Sequence, residues 1–309
     1  MARPLRIEYP GAFYHVTSRG NEQKDVFRSR RDREQFLSYL QSATERYGAA
    51  IHAYCLMSNH YHLLLETPEG NLSQIMRHIN GAYTTYFNVK RKRAGHLFQG
   101  RYKAIIVDAD AYAAGLSKYI HLNPVKAGIV TKPEEYEWSS YRNYIDFVKT
   151  PEWLKTGFIL GCFSSKDVSK KYRQFVHDAL NNETEDPLNN VVAATILGSA
   201  EFVKGIASRH VGNKHADRNV PAVRKLNRPT LDEIISAIEK EPGMKESFSR
   251  NVSIYFCHRY SGARLREIGD RFGLSDAAAA QASRRLRVAC ENDDAVREQL
   301  EQIRCKLGL

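Results

Sequence analysis

The sequence of 309 residues lacks the features that mark secreted, membrane and cysteine-metal proteins. Its five cysteines are scattered, odd in number and never spaced as a C-x-x-C pair, which argues against a disulfide framework and against a cysteine zinc site. No run approaches the ~18 consecutive apolar residues of a membrane span. The start, MARPLRIEYP, has Pro4 and charged residues where a signal peptide needs an apolar stretch. We therefore expect a cytoplasmic protein with no membrane partner.

Positive charge, in contrast, is in surplus. The chain has 46 lysines and arginines against 35 aspartates and glutamates, a formal net charge of +11. A balance this basic indicates an anionic partner, and nucleic acid is the first candidate. Solvated surface charge is the alternative reading of the same surplus. The composition, 42% hydrophobic and 26% charged, is that of an ordinary globular protein, and the length favours two domains.

Hydrophobic periodicity predicts alternating strands and helices in the first half of the chain. The predicted order is β-α-β-β-α-β-α. Strands 49–57 and 60–67 are joined by a tight turn at Ser58 and Asn59, and we predict that they are the two central strands of the sheet. The fold class is therefore α+β, and the simplest architecture is a ferredoxin-like, split β-α-β domain with an antiparallel sheet and helices on one face. The predicted strands are 12–18, 49–57, 60–67 and 96–108, and the predicted helices are 31–48, 71–93 and 109–124, the last stopped by Pro124.

The pattern weakens after Tyr144 and becomes entirely helical towards the end of the chain. We predict three parts: an α+β domain at 1–148, a helical extension and linker at 149–229, and a helical domain at 230–309. The linker proper is 211–229, and Thr230 opens the last domain with a capping-box pattern. Helices in that domain are predicted near 230–240, 248–260, 264–273, 276–290 and 293–307.

The stretch MSNHYHLLLE, residues 57–66, places two histidines one residue apart at the start of a buried strand. Side chains at positions i and i+2 of a strand point to the same face, ~6.6 Å apart at the backbone. The imidazoles of His60 and His62 can therefore converge on one cation. Two ligands do not close a metal site, and open positions are what metal catalysis requires. The alternative is a pair of structural histidines satisfied by hydrogen bonds.

A second candidate pair lies on the predicted helix 109–124. Tyr119 and Asn123 are separated by four positions, which makes their side chains neighbours on one helix face, ~5–6 Å apart at Cβ. A core aromatic on an amphipathic helix is the competing reading of Tyr119. Asn123 also precedes Pro124, and a following proline disfavours helical geometry.

Several motifs in order resemble one family. NHYHLLLE (59–66), KYIHLNPVKAG (118–128) and EWSSY (137–141), flanked by TSRGNEQKDVF (17–27) and HLFQGRYKA (96–104), resemble the REP-associated tyrosine transposases. These belong to the HUH superfamily of single-tyrosine transposases. The resemblance covers roughly residues 5–145. The single H-x-H motif is a weak indicator of the family, whereas the whole set of motifs in this order is a specific one.

The resemblance implies a specific site and reaction. His60, His62 and Asn123 would hold a divalent metal, Mg²⁺ or Mn²⁺, and Tyr119 would be the nucleophile. Related enzymes usually have Gln as the third ligand, and the shorter Asn suggests a slightly different helix position. The product would be a 5′-phosphotyrosine with a free 3′-OH. The implied substrate is single-stranded DNA at the foot of hairpins formed by repetitive extragenic palindromes.

Basic and aromatic residues near these motifs are candidates for holding DNA. Cations neutralise phosphates and give a strong salt dependence, and aromatic rings stack on unpaired bases. A solvated face is the alternative for any single charge. The candidate cations are Arg19, Arg91, Arg93, Arg101 and Lys103, and the candidate stacking residues are Tyr83, Tyr86 and Phe98.

Residues 250–289 resemble the C-terminal DNA-binding domain of the replication initiator DnaA. LREIGDRFG (265–273) would be the first helix of a helix-turn-helix, and Ser275 would cap the second helix, which carries Arg284, Arg285 and Arg287. The base-reading stretch is replaced by DAAAAQ (276–281), whose alanines offer almost no hydrogen bonds to base edges. We expect weak or altered sequence readout on duplex DNA or hairpin stems. A packing or dimerisation module is the alternative.

Three functions are weighed. The first is a metal-dependent tyrosine DNA transposase or endonuclease, the second a DNA-binding regulator of the same fold without turnover, and the third a metal phosphoesterase that uses water as its nucleophile. Whether the protein acts as a homodimer is left open.

Overall fold

A computed structural model describes residues 6–181, 186–210, 229–241 and 244–306. The chain divides into two compact units, Met1–Ala222 and Val223–Leu309. Residues 211–228, which make up nearly all of the predicted linker, lie outside the described residues.

The first unit is built on an antiparallel sheet of four main strands. These are β1 (Ala12–Arg19), β2 (Ala50–Leu56), β3 (His60–Thr67) and β4 (Lys103–Val107), in the order β2-β3-β1-β4. β1 pairs antiparallel with both β3 and β4, and β2 pairs antiparallel with β3. This order confirms the predicted α+β fold with its split β-α-β arrangement. The predicted central position of strand 49–57 is wrong, because β1 inserts between β3 and β4 and leaves β2 at the edge of the sheet. The predicted strand 96–108 is too long, because only its last part enters the ladder.

Helices cover both faces of this sheet, so the prediction of helices on one face is wrong. α1 (Arg30–Tyr47) and α2 (Leu72–Lys90) cover the face of Tyr61, whose ring contacts Phe36 and whose hydroxyl donates to Asn80. α3 (Ala109–Lys126) covers the opposite face, where Ile120 packs in one core cluster with Leu64. The physical reason lies in the unbroken run of three leucines in β3: both faces of the strand are apolar and both must be buried.

α3 continues through Pro124 to Lys126, so the predicted stop at Pro124 is also wrong. Pro124 lies in the last turn, so the one intrahelical hydrogen bond that it removes, to the carbonyl of Ile120, is at the end of the helix. Next to this gap the side chain of Asn123 adds a hydrogen bond, since its Nδ2 donates to the carbonyl of Tyr119 at 2.9 Å. The Ala127 N–H then donates to the Asn123 carbonyl at 2.9 Å and closes the helix end.

The segment after the predicted catalytic region adds two short strands to the same sheet. β5 (Val191–Val192) and β6 (Ile196–Leu197) form a hairpin whose β6 runs parallel to β4. The turn residues Ala193 and Ala194 both have positive φ, 53° and 58°. Two-residue strands have no readable periodicity, which is why the sequence pattern predicts only a helical extension here. The helices of this region are α4 (Tyr141–Tyr144), α5 (Gly157–Leu160), α6 (Val168–Asn181) and α7 (Ala200–His210).

The second unit is helical throughout its described residues, as the sequence predicts. Its core contains Ile234, Phe256, Ile268 and Leu286. The helices are α8 (Leu231–Glu239), α9 (Glu246–Phe256), a π-turn at Cys257–Ser261, α10 (Leu265–Phe272), α11 (Asp276–Asn292) and α12 (Asp294–Lys306). Across both units, no helix in the described ranges has the length and apolar character needed to cross a bilayer.

A tight turn joins α10 to α11. Gly273 ends α10 with φ 64°, and the Ser275 hydroxyl accepts from the Ala278 N–H at 3.3 Å, which confirms the predicted cap. Gly269 allows α10 to approach the turn closely, since a Cβ there would lie 2.5 Å from the Leu274 carbonyl oxygen. The two helices are therefore held in one fixed geometry by close backbone packing.

Candidate active site

The two histidines of MSNHYHLLLE lie at the start of β3 and face α3. In the β1–β3 register His62 is paired with Thr17 and Leu64 with His15, so His60, His62 and Leu64 share the face covered by α3. The ring centroids of His60 and His62 are 5.1 Å apart. His62 is buried and His60 is half-buried.

Tyr119 and Asn123 of α3 lie at the same place. The Tyr119 ring is edge-on to the His62 ring, with 5.9 Å between centroids. Lys126, one turn beyond Asn123, holds its Nζ 5.1 Å from the centre of the Tyr119 ring. All of these side chains line one cavity of about 930 Å³. The structure thus brings together the four residues that the sequence places on two separate segments.

The hydrogen bonds of the two imidazoles leave one nitrogen of each ring unused. His60 Nδ1 is 2.6 Å from Asn59 Oδ1, and His62 Nδ1 is 3.0 Å from His15 Nε2. Among the described residues, no hydrogen bond occupies Nε2 of either ring. An amide oxygen only accepts, so the proton of His60 is on Nδ1 and the lone pair is on Nε2. Two Nε2 atoms lining one cavity, beside the Asn123 amide, are a donor set that fits a divalent ion with open positions.

Both histidines are neutral near pH 7. Burial, assisted by the Arg19 guanidinium, lowers the pKa of His60 to about 4. Burial and the neighbouring His15, His60 and Arg19 hold the pKa of His62 well below its usual range. The neutral imidazole is the form that binds metal, so neither His60 nor His62 has to lose a proton before it can act as a ligand.

The Tyr119 phenol is in its protonated form. Burial raises the pKa of Tyr119, the carboxylate of Asp186 raises it further, and a hydrogen bond to the Asn123 side chain opposes the rise. A phenol is a poor nucleophile until it loses its proton. The site therefore needs an additional positive charge or a base near the phenol before this oxygen can attack.

The predicted DNA-binding cations of the first unit lie in three different environments. Arg19, Arg101 and Lys103 line the cavity, are exposed, and form no ion pair with a described carboxylate. Arg91, in contrast, pairs with the fully buried carboxylate of Asp32. Arg93 is exposed but lies outside the residues that line the cavity.

Two of the three predicted stacking residues are not available to a base. Tyr83 is fully buried, with its hydroxyl donating to the Val26 carbonyl, and Phe98 is also buried. Their prediction as stacking residues is wrong because both rings fill the core between the sheet and α2. Tyr86 is half-buried and its hydroxyl hydrogen-bonds to Asp32.

In the second unit, Arg284, Arg285 and Arg287 are exposed on α11. Arg287 lies 3.9 Å from Glu291, a surface pair of little energetic weight. The helix therefore presents three available guanidinium groups to solvent.

Sequence reasoning missed His15, Asp186 and Lys126. His15 lies in the strand AFYHVTS, where a histidine among apolar residues was the available signal. Lys126 follows Tyr119 by seven positions, which places it on the same helix face. No sequence pattern links Asp186 to Tyr119, because only the tertiary structure brings the two residues close together.

Comparison with known proteins supports the resemblance seen in the sequence. Residues 9–123 match a family described as IS200-like transposases. A Haemophilus influenzae protein named as a REP-associated tyrosine transposase is 26% identical over 129 residues, spanning 38% of this chain and 73% of that protein. A solved REP-associated tyrosine transposase bound to a REP hairpin aligns with a TM-score of 0.43 at 16% identity, covering 54% of this chain and 96% of that one. The family match and the Haemophilus influenzae relative confirm the resemblance to REP-associated tyrosine transposases. None of these three names a replication initiator, so the resemblance of the second unit to DnaA stays a prediction.

Proposed function

We propose that this chain, which resembles the REP-associated tyrosine transposases, cleaves and rejoins single-stranded DNA through Tyr119. One observation carries the proposal: Tyr119, His60, His62 and Asn123 line a single cavity although they come from two separate segments. A phenol, two neutral imidazoles and an amide around one space are the groups that a tyrosine nuclease needs. The match of residues 9–123 to IS200-like transposases supports the same reaction class.

The proposed step exchanges one phosphate ester for another. The phenol oxygen of Tyr119 loses its proton and forms a bond to phosphorus, while the bond from phosphorus to the 3′ oxygen breaks. The 3′ oxygen leaves and takes up a proton, giving a free 3′-OH and a 5′-phosphotyrosine. Because the new ester retains the energy of the old one, the strand is rejoined by the reverse step without a nucleoside triphosphate.

His60, His62 and Asn123 are the residues that would hold a divalent ion. Mg²⁺ or Mn²⁺ bound there would supply a Lewis acid that stabilises negative charge on the phosphate oxygens. The two imidazoles favour Mn²⁺ somewhat, because Mg²⁺ prefers oxygen ligands. The chain's own part is to keep both rings neutral and to leave their Nε2 atoms without a hydrogen-bond partner among the described residues.

We propose that Arg19, Arg101 and Lys103 hold the phosphates that flank the cleaved bond. All three line the cavity and none is paired with a described carboxylate. Because the chain resembles the REP-associated tyrosine transposases, we propose that its substrate is single-stranded DNA beside a hairpin. For the second unit we propose contact with duplex DNA or a hairpin stem through Arg284, Arg285 and Arg287, with weak sequence readout.

A cleavage assay separates this proposal from its two alternatives. A labelled single-stranded oligonucleotide carrying a hairpin is incubated with Mn²⁺ or Mg²⁺, and products are resolved under denaturing conditions. The proposal expects a covalent protein–DNA adduct that EDTA and His62→Ala suppress and that Tyr119→Phe abolishes. Tyr112→Phe is the matched control, because Tyr112 lies two turns earlier on α3 and does not line the cavity.

Each alternative gives a different pattern in the same assay. A DNA-binding regulator binds the hairpin oligonucleotide with neither adduct nor cleavage. A phosphoesterase that uses water still cuts after Tyr119→Phe and never forms an adduct. Either pattern overturns the transposase proposal.

A further inference from the structure

His15 is the closest polar neighbour of His62. It lies on β1, diagonally across from His62 on the same face of the sheet, because the register pairs Thr17 with His62. The two rings are stacked with 5.2 Å between centroids and 10° between planes, and Nε2 of His15 is 3.0 Å from Nδ1 of His62. The contact is fully buried, since His15 is 2% exposed and His62 is 6% exposed.

The environment of His15 differs from that of the structural histidines in this unit. His52 uses both ring nitrogens, towards the Lys155 carbonyl and the Glu66 carboxylate. His121 also uses both, towards the hydroxyls of Tyr172 and Ser140. His15 uses only one: its Nδ1 has no hydrogen-bond partner among the described residues. Its single polar contact is therefore His62, at the energetic cost of one unpaired buried nitrogen.

We propose that His15 is a positioning residue: it accepts the Nδ1 proton of His62, which fixes the lone pair of His62 on Nε2 and holds that nitrogen towards the cavity. This inference rests on the proposed function, in which His62 binds the divalent ion. Without the contact the His62 proton is free to occupy Nε2, and the ring is free to rotate about its side-chain bonds. Either change would remove His62 as a metal ligand, although His15 itself does not contact the metal.

The two ligand histidines would then be oriented by different partners. His60, at the half-buried end, has the Asn59 amide at 2.6 Å, whereas His62, at the buried end, has an imidazole. The His15 ring also lies edge-on to Tyr119, with 6.1 Å between centroids. One side chain of β1 thus contacts both the proposed ligand and the proposed nucleophile.

The test measures binding of Mn²⁺ alone to the full chain, by calorimetry, for variants that differ at position 15. His15→Phe keeps a ring but removes the acceptor. His15→Gln carries an amide that reaches the Nε2 position, and the shorter His15→Asn does not. His52→Gln is the matched control, because His52 is 3% exposed, lies on β2 of the same sheet, and does not line the cavity.

We expect His15→Phe and His15→Asn to weaken Mn²⁺ binding about 10- to 100-fold, the usual cost of losing the partner of a ligating histidine. His15→Gln restores binding to within roughly threefold of the wild type, and His52→Gln leaves it unchanged. Pulsed electron paramagnetic resonance gives a second readout: two imidazole nitrogens couple to Mn²⁺ in the wild type and one in His15→Phe. A packing role alone would not alter that count.

Three outcomes decide the matter. If His15→Phe binds Mn²⁺ as tightly as the wild type with two coupled nitrogens, the positioning role is overturned. If His15→Phe fails to fold, the Gln and Asn variants decide, and equal affinities for these two overturn the role as well. If the wild type has no Mn²⁺ site that His60→Ala and His62→Ala remove, the proposed function fails first and this inference fails with it.

Discussion

The ring of Tyr119 on α3 lies edge-on to the ring of His62 on β3, with 5.9 Å between their centroids. This contact fixes the proposed nucleophile beside a proposed metal ligand. The same packing has a chemical consequence, because burial and the Asp186 carboxylate raise the pKa of the phenol. The resting site is therefore well placed but not yet activated, and its rate must depend on the charges around Tyr119.

The first prediction concerns Asp186. Replacing Asp186 by Asn removes a negative charge that disfavours the phenolate but keeps an acceptor for the Leu188 N–H. The pKa of Tyr119 falls, so adduct formation at neutral pH becomes faster and the alkaline rise of the pH–rate profile moves to lower pH. Single-turnover rates on a hairpin oligonucleotide across the pH range measure this. Asp146→Asn, an exposed change elsewhere in the unit, is the control.

The second prediction concerns the unpaired cations of the cavity. Neutralising Arg19, Arg101 and Lys103 together to Gln weakens binding of single-stranded DNA and lowers the slope of log K against log salt by about 2, since each lost phosphate contact removes ~0.7. Fluorescence anisotropy between about 50 and 200 mM salt measures the slope. The triple change at Lys149, Lys166 and Lys170, which are exposed and outside the cavity, is the control. An equal loss of slope in both triples would show that the cavity cations have no special role.

The third prediction separates a structural ion pair from a DNA contact. Asp32 has no exposed surface, and its carboxylate pairs with Arg91 and with Lys90, the latter at 2.9 Å. Asp32→Asn should lower the free energy of unfolding by about 3–5 kcal/mol, the cost of breaking a buried pair. Arg91→Gln should lower it less, because Lys90 still pairs with the Asp32 carboxylate. Urea denaturation measures this, and Arg93→Gln, at an exposed position, should change stability little.

Asp32 also gives this ion pair a pH signature. Burial raises the pKa of Asp32, but hydrogen bonds from Lys90 and Arg91 outweigh it and hold the pKa well below its usual range. A lowered folded-state pKa means that the stabilisation is present above the unfolded pKa of about 4 and is lost as the pH falls further. The Asp32→Asn variant should lack this acid-dependent loss. If it denatures in acid as steeply as the wild type, the carboxylate is not the group responsible.

The fourth prediction uses His121, the histidine of the motif KYIHLNPVKAG that does not line the cavity. Burial lowers the pKa of His121 to about 3. Its stabilising contribution is therefore complete above the unfolded pKa of about 6.5 and is lost as the pH falls from there towards 3. His121→Gln should reduce the dependence of unfolding free energy on pH by about one proton, or ~1.4 kcal/mol per pH unit, in that range. Denaturant titrations at a series of pH values measure it, with His78→Gln at a more exposed position as the control.

Much of the fold could be read from local patterns. The bounds of β3 are those predicted. The four main strands follow one another along the chain in the predicted order, and they pair antiparallel as predicted. Errors arose where one local rule was applied without its surroundings. Pro124 predicts a helix stop, but only the last turn of α3 follows, so a single intrahelical hydrogen bond is lost there. The three leucines of β3 indicate two buried faces, which a sheet with helices on one face does not provide.

The sequence by itself determined which chemical groups share a face: His60 with His62 at strand spacing, and Tyr119 with Asn123 at helix spacing. These relationships follow from backbone periodicity, which is the same in every protein. Only the tertiary structure decided which distant segments meet. It placed His15 against His62 and Asp186 near Tyr119. It also paired Arg91 with the buried carboxylate of Asp32, so that its guanidinium is not free at the surface. Such contacts depend on sheet register and on the paths of loops, and no local pattern of residues encodes either one.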